Sequence, residues 1–135
     1  MPSAELGPPA FPRLIDAGWA VMPIGQLAGY WPDRALRMEL SGKATAACSL
    51  TAEGVLVGCW IASVEPKDQG FELATLKMTT ALKTKRFTRT GESVEGGTYM
   101  LVSHFDVSGC RFTLRLTTPG ATNGPSTTIV RGCEP

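Results

Sequence analysis

The sequence contains a single histidine, His104. A catalytic arrangement that pairs histidine with serine or cysteine would therefore have to use this residue. It lies in a predicted strand between Ser103 and Phe105, and the chain has no G-x-S-x-G nucleophile elbow, P-loop or G-x-G-x-x-G motif. We therefore expect no catalytic residues, no cofactor and no enzymatic activity, and an ordinary strand histidine at position 104.

Long apolar runs and an excess of one charge are also lacking. No stretch of 18 or more apolar residues occurs, so we expect no membrane span, and residues 1–5 lack the basic start and apolar core of a signal peptide. The formal net charge is +1, which gives no bulk attraction to nucleic acid or to an anionic membrane. The 135 residues, of which 43% are hydrophobic, fit one globular domain with a modest core.

Four cysteines are present, at positions 48, 59, 110 and 133. Zinc sites use closely spaced pairs such as C-x₂-C, and these cysteines are too far apart in sequence, so we expect no metal site. Disulfides are the favoured interpretation, and they would place the protein in an oxidising compartment such as the periplasm. Four buried free thiols are the alternative, since cysteine is often buried.

Hydrophobic periodicity predicts a helix, a β-hairpin, a second helix and a strand, in that order. Pro32 suits the first turn of a helix over residues 32–40. The hairpin turns at residues 51–54, where Gly54 supplies the left-handed position, and its second strand runs to about Ser63. The second helix begins at Gly70-Phe71 with Asp68 as its N-cap, and a strand ends at Phe105.

One helical stripe laid over one face of the sheet predicts the hydrophobic core. Its expected members are apolar residues from both helices and all three strands: Leu36, Ala46, Leu50, Leu56, Ile61, Phe71, Ala74, Met78, Leu82 and Leu101.

The chain continues for 30 residues beyond Phe105. Residues 106–109 have the composition of a turn, and residues 110–116 read as a strand with Phe112, Leu114 and Leu116 on one face. Residues 127–131 could form one more short strand. We expect residues 106–135 to be a C-terminal β extension packed on the same domain.

The order of these elements and their landmarks resemble the C-terminal domain of TonB-family energy transducers. The resemblance covers about residues 28–105, preceded by an extended Pro/Gly-rich lead-in over residues 1–27. Family members carry an N-terminal anchor, so we expect either a mature or trimmed form of an anchored protein or a stand-alone member. The landmarks are spread over the whole segment: Tyr30, Trp31 and Pro32 with Ala35, Gly42, Gly54, Gly70-Phe71 before Ala74 and Leu76, and the ending at Phe105.

The resemblance implies an α+β fold, in which a small antiparallel sheet of three strands has helices packed on one face. The last strand would pair beside the first and lie at an edge. TonB-family domains are periplasmic and non-catalytic, and they engage a peptide segment of a TonB-dependent outer-membrane transporter by β-strand addition, for energy-coupled transport. The partner-binding edge would be the backbone of Tyr99, Leu101, Ser103 and Phe105. Exposed edge strands could also join two copies as a homodimer.

Two alternatives remain open at this point. Residues 110–116 could fold back on the edge strand and cover it, which would make the chain a stand-alone periplasmic TonB-like fold with a structural or other protein-binding role. A small secreted enzyme or inhibitor is a third interpretation, based only on size and disulfides.

Two disulfides are expected. In the family pattern the inward positions of the second hairpin strand correspond to Leu56, Cys59 and Ile61. That spacing switches parity and implies a bulge between residues 56 and 59, which would bring Cys59 beside Cys48. The second bridge, Cys110–Cys133, would hold the C-terminal extension in place.

Overall fold

Two antiparallel sheets and a few short helices make up the described part of the chain, which in the computed structural model is residues 14–118 and 126–130. This confirms the predicted α+β class. The elements in chain order are β1 (Trp19–Val21), α1 (Ile24–Leu27), a 3-10 turn (Ala28–Tyr30), α2 (Asp33–Met38), β2 (Gly42–Leu50), β3 (Leu56–Glu65), α3 (Phe71–Thr79), β4 (Lys83–Thr84), β5 (Thr98–Ser108), β6 (Arg111–Thr117) and β7 (Ser126–Val130).

The larger sheet has the strand order β3-β2-β5-β6-β7, and all neighbouring strands are antiparallel. The hairpin β2–β3 turns at residues 51–54, where Gly54 adopts a φ of 88° as its position requires. Helix α3 follows the hairpin, and β5 then pairs beside β2, so the three-stranded arrangement expected from the resemblance is present. The extension adds β6 and β7 to it.

The strand that was predicted to be an open edge lies inside the sheet. Ser103 pairs with Ala44 of β2 and with Leu116 of β6, and Phe105 pairs with Gly42 and Leu114 in the same way. The prediction of a free edge at these residues is wrong, because the chain reverses through the short turn at Gly109 and lays β6 along β5. This is the covering that was considered as the alternative.

The first half of the predicted edge has a different environment. Tyr99 and Leu101 precede the first β6 pair, Val102 with Thr117, but both side chains are buried against the core. The lead-in approaches this end of β5, where the N–H of Ile15 donates to the carbonyl of Thr98 at 2.9 Å.

The predicted bulge and the first predicted disulfide are confirmed. Ala47 pairs with Trp60 and Ser49 pairs with Val57, so β3 contains one extra residue between positions 57 and 60. The bulge turns Cys59 to the inward face, where it is bonded to Cys48 with a Cα–Cα distance of 4.1 Å. Cys110 is also disulfide-bonded, while Cys133 lies outside the described residues.

Helices α2 and α3 pack on one face of the larger sheet, and the core lies between these layers. Every predicted core residue is buried except Leu36 and Ile61, which are half-buried. The sequence did not predict the aromatic centre of this core. Trp31 lies 5.1 Å from Phe105 and 5.5 Å from Phe112, and Phe71 lies 4.9 Å from Phe105, measured between ring centroids.

Helices α2 and α3 begin where the sequence predicts, but the N-cap of α3 and the end of α2 differ from the predictions. The N-cap of α3 is Gly70, with a φ of 91° and no side-chain hydrogen bond. The predicted N-cap, Asp68, is wrong, since its backbone N–H instead donates to Glu72 Oε2 at 3.3 Å. Helix α2 begins after Pro32 as expected, but ends at Glu39 in a left-handed conformation, before Gly42 is reached.

The smaller sheet joins β1 of the lead-in to β4, which follows α3. Ile15 and Leu27 of the lead-in are buried in the common core. The lead-in from residue 14 onward is therefore packed with the domain. No described helix is long and apolar enough to cross a membrane.

Candidate functional site

The sheet face opposite α2 and α3, which we call the outer face, carries a row of polar side chains at one end. Lys43 of β2 pairs with Glu65 of β3 on one side and with His104 of β5 on the other, and His104 pairs with Arg115 of β6. Because paired residues share a face, these four side chains form one row across four strands. Asp106, two residues beyond His104, lies on the same face.

A cavity of about 580 Å³ opens over this row. It is lined by both carboxylates and by the lysine and the histidine, with three residues of the strand ends: Glu65, Asp106, Lys43, His104, Ser41, Gly42 and Pro66. A second cavity of about 420 Å³ adjoins it and shares Lys43 and Glu65. Both cavities are widely open to solvent, so the end of the outer face is a shallow, charged surface.

His104 is held in this row by Thr117, whose Oγ1 lies 3.1 Å from its Nε2. Its pKa lies below the usual value, mainly because partial burial disfavours the charged imidazolium. The neighbouring cations Arg115 and Lys43 lower the pKa further, and Asp106 opposes them. We therefore expect a neutral imidazole at pH 7. One of its ring nitrogens is engaged with Thr117, and the other can form a hydrogen bond with a ligand.

The chemistry that this row can perform is limited. Among the described residues no three histidine, cysteine, aspartate or glutamate side chains are grouped closely enough to hold a metal ion. Ser41 Oγ accepts the N–H of Val107 at 2.9 Å, so it is a positioned hydroxyl rather than a partner of His104. The arrangement suits binding by hydrogen bonds and charge.

The opposite end of the outer face is apolar. Trp60 is 45% exposed and Val57 is 42% exposed, and Ala47 lies buried opposite Trp60. Met100 pairs with Ala47 from β5 and is half-buried. Polar and apolar halves therefore divide the outer face along the strands.

A second groove lies between the start of α2 and α3. Its volume is about 250 Å³, and Tyr30, Trp31, Pro32 and Leu73 are among its lining residues. The Nε1 of Trp31 is buried and has no acceptor among the described residues. Leu73 is 57% exposed at the rim.

The residues predicted as a partner-binding edge do not form a surface. The side chains of Tyr99, Leu101, Ser103 and Phe105 all point into the core, and each is at most 1% exposed. The polar row was missed because its members are far apart in sequence and meet only through strand register. Alternation along β5 does place His104 opposite in direction to Ser103 and Phe105, which was the one available signal.

Comparison of the chain with models of protein families, with curated proteins and with solved structures gives no match. The likeness to TonB-family domains therefore rests on the sequence landmarks and stays a prediction.

Proposed function

We propose that this protein is a non-catalytic protein-binding module of the periplasm, a TonB-like fold in which the chain's own β6 takes the place of a transporter peptide. The observation that carries the proposal is the pairing of β5 with β6, from Val102 with Thr117 to Ser108 with Arg111. A strand flanked on both sides has no free backbone donors and acceptors along that length for an added peptide. The protein would therefore bind its partner through another surface.

The location is supported by the cysteines. The Cys48–Cys59 bond joins two adjacent strands, and Cys110 is bonded as well. Disulfides persist in oxidising compartments and are rare where thiols are kept reduced. This argues for the periplasm as the compartment.

A protein-binding role is supported by the apolar half of the outer face. Exposed tryptophan beside exposed aliphatic side chains is typical of interfaces, and Trp60 with Val57 forms such a combination. A homodimer through edge strands would have to use β3 or β7, which are the edges of the described sheet. Strand β3 is interrupted at two points by register shifts, which discourage pairing.

The test is titration of a labelled peptide from the N-terminal segment of a TonB-dependent transporter into the full chain. We expect no saturable binding and no change in the amide exchange of β5. Tight binding with new protection of β5 would contradict the proposal and restore transporter engagement by strand addition.

Two single proline substitutions, one in an inner strand and one in an edge strand, make this test more specific. Thr113 of β6 lies between Asp106 of β5 and Thr128 of β7. Proline lacks the amide donor and is disfavoured in an inner strand, so Thr113→Pro should loosen β6 and allow peptide binding. Thr128→Pro, in the edge strand, should bind no peptide. Circular dichroism of both variants must first show a native-like spectrum.

A further inference from the structure

The row on the outer face places opposite charges next to each other without pairing them. Strands in a sheet are about 4.8 Å apart, so Glu65, Lys43 and His104 follow one another at that spacing. Among the described residues, ion pairs form between Arg37 and Asp33 and between Arg89 and Asp16. Lys43, Glu65 and Asp106 form no such pair in that part of the chain.

The cavity over the row exposes both signs of charge to the same space. Lys43 and His104 supply a cation and a hydrogen-bonding ring, and Glu65 and Asp106 supply two carboxylates. Ser41 adds a hydroxyl whose oxygen already accepts the N–H of Val107, so its proton is free to be donated. A ligand of one sign would satisfy one set of groups and face repulsion from the other.

We propose that this cavity binds a small zwitterion, a ligand with a carboxylate and an ammonium group about one strand spacing apart, such as a short peptide. The carboxylate lies between Lys43 and His104, and the ammonium lies against Glu65, which is one strand away from Lys43. Neutral His104 can fill this role in the tautomer with its proton on Nδ1: Nε2 then accepts the hydroxyl proton of Thr117, and Nδ1–H can donate to the carboxylate. The proposal concerns the outer face and does not depend on what binds β5.

Selectivity follows from using both charges together. Each contact is a solvent-exposed ion pair and is weak by itself, so a ligand that makes only one of them gains little. Glycylglycine makes both. N-acetylglycine, which resembles a protein C-terminus, and glycinamide, which resembles an N-terminus, each make one.

The experiment uses the imidazole signals of the only histidine in the chain as the reporter. The three compounds are titrated into the full-length protein at pH 7, and the ring resonances of His104 are followed by NMR. We expect a saturable shift with glycylglycine, with about fivefold weaker binding of each singly charged compound, the ratio expected for loss of one exposed ion pair. Tighter binding of either singly charged compound would instead assign the site to a chain terminus and overturn the proposal.

Matched variants locate the site. Lys43→Gln and Glu65→Gln should each weaken glycylglycine binding by about fivefold. Arg37→Gln, which removes a similarly exposed charge on α2, should leave it unchanged. Absence of saturation, or equal binding by all three variants, would show that the cavity is only a solvated charged surface.

Discussion

The ring of Phe71 occupies the space that a β-carbon at Gly42 would need. Gly42 begins β2 opposite Phe105 of β5, and the Phe71 ring packs 4.9 Å from the Phe105 ring. Helix α3 can approach the sheet at this point because residue 42 has no side chain. Both Gly42 and Phe71 were among the sequence landmarks, and the structure shows that they form one contact.

Gly42→Ala should destabilise the protein by about 1–3 kcal/mol, since the fully buried Phe71 ring must move or the helix must shift outward. The midpoint of urea unfolding measures the effect. Gly25→Ala is the control, because a β-carbon there meets nothing within 4 Å. An unchanged midpoint for Gly42→Ala would mean that α3 does not pack against the start of β2.

Phe71→Ala should lower the free energy of unfolding by about 3–5 kcal/mol, because it removes a fully buried ring from the aromatic centre of the core. Leu73→Ala on the same helix should cost far less, since Leu73 is mostly exposed. Urea titrations of both variants give the comparison. A loss below about 1 kcal/mol for Phe71→Ala would show that α3 does not pack on the sheet through the face that carries Phe71.

Replacing both Cys48 and Cys59 by alanine should cost about 3 kcal/mol, because the bond closes a loop of 11 residues in the unfolded chain. The double variant is compared with the oxidised protein by thermal unfolding. Equal stability would show that the bulged hairpin holds these strands without the bond.

Cys110 is disulfide-bonded, and its pairing with Cys133 remains a prediction. Mass spectrometry of a non-reduced digest should show a peptide that joins these cysteines and another that joins Cys48 with Cys59. The second bond should contribute about 3–4 kcal/mol through the longer loop that it closes. A peptide joining Cys48 with Cys110 would contradict both pairings.

Stability should fall as the pH is lowered through about 6.5, the usual pKa of histidine. The pKa of His104 is lowered in the folded state, so near this pH the unfolded chain binds a proton that the folded chain does not. The loss levels off below the folded pKa. His104→Gln should remove this contribution. The urea midpoint of the unchanged protein minus that of His104→Gln should therefore decrease from pH 8 to pH 5. A constant difference over that range would show that His104 has its usual pKa in the folded protein.

Much of the fold follows from local pattern. Helix α3 and the β2–β3 hairpin could be predicted because periodicity and a positive-φ glycine agree there. The bulge in β3 was predicted from the TonB resemblance, whose pattern turns both Leu56 and Cys59 inward. The pair β1–β4 could not be predicted, since its strands of three and two residues are too short to show a period.

The candidate site was harder to predict for a different reason. His104 was identified as the sole histidine, but its neighbours Lys43 and Arg115 are set by strand register over long sequence separations. Phe105 was assigned to an edge because the resemblance ends there. Phe112, Leu114 and Leu116 are buried in the core, and they can be buried there only if β6 pairs with β5. Phe105 therefore lies inside the sheet and not at its edge.

The short turn after β5 has a consequence for any peptide that would add to this strand. Because β6 is tethered to β5 through residues 109 and 110, it competes as an intramolecular ligand, at an effective concentration that is millimolar or above for such short links. A free peptide of equal intrinsic affinity, present at about 1 μM, would occupy fewer than about one molecule in a thousand. Recognition at β5 would thus depend less on the sequence of the peptide than on some event that first detaches β6.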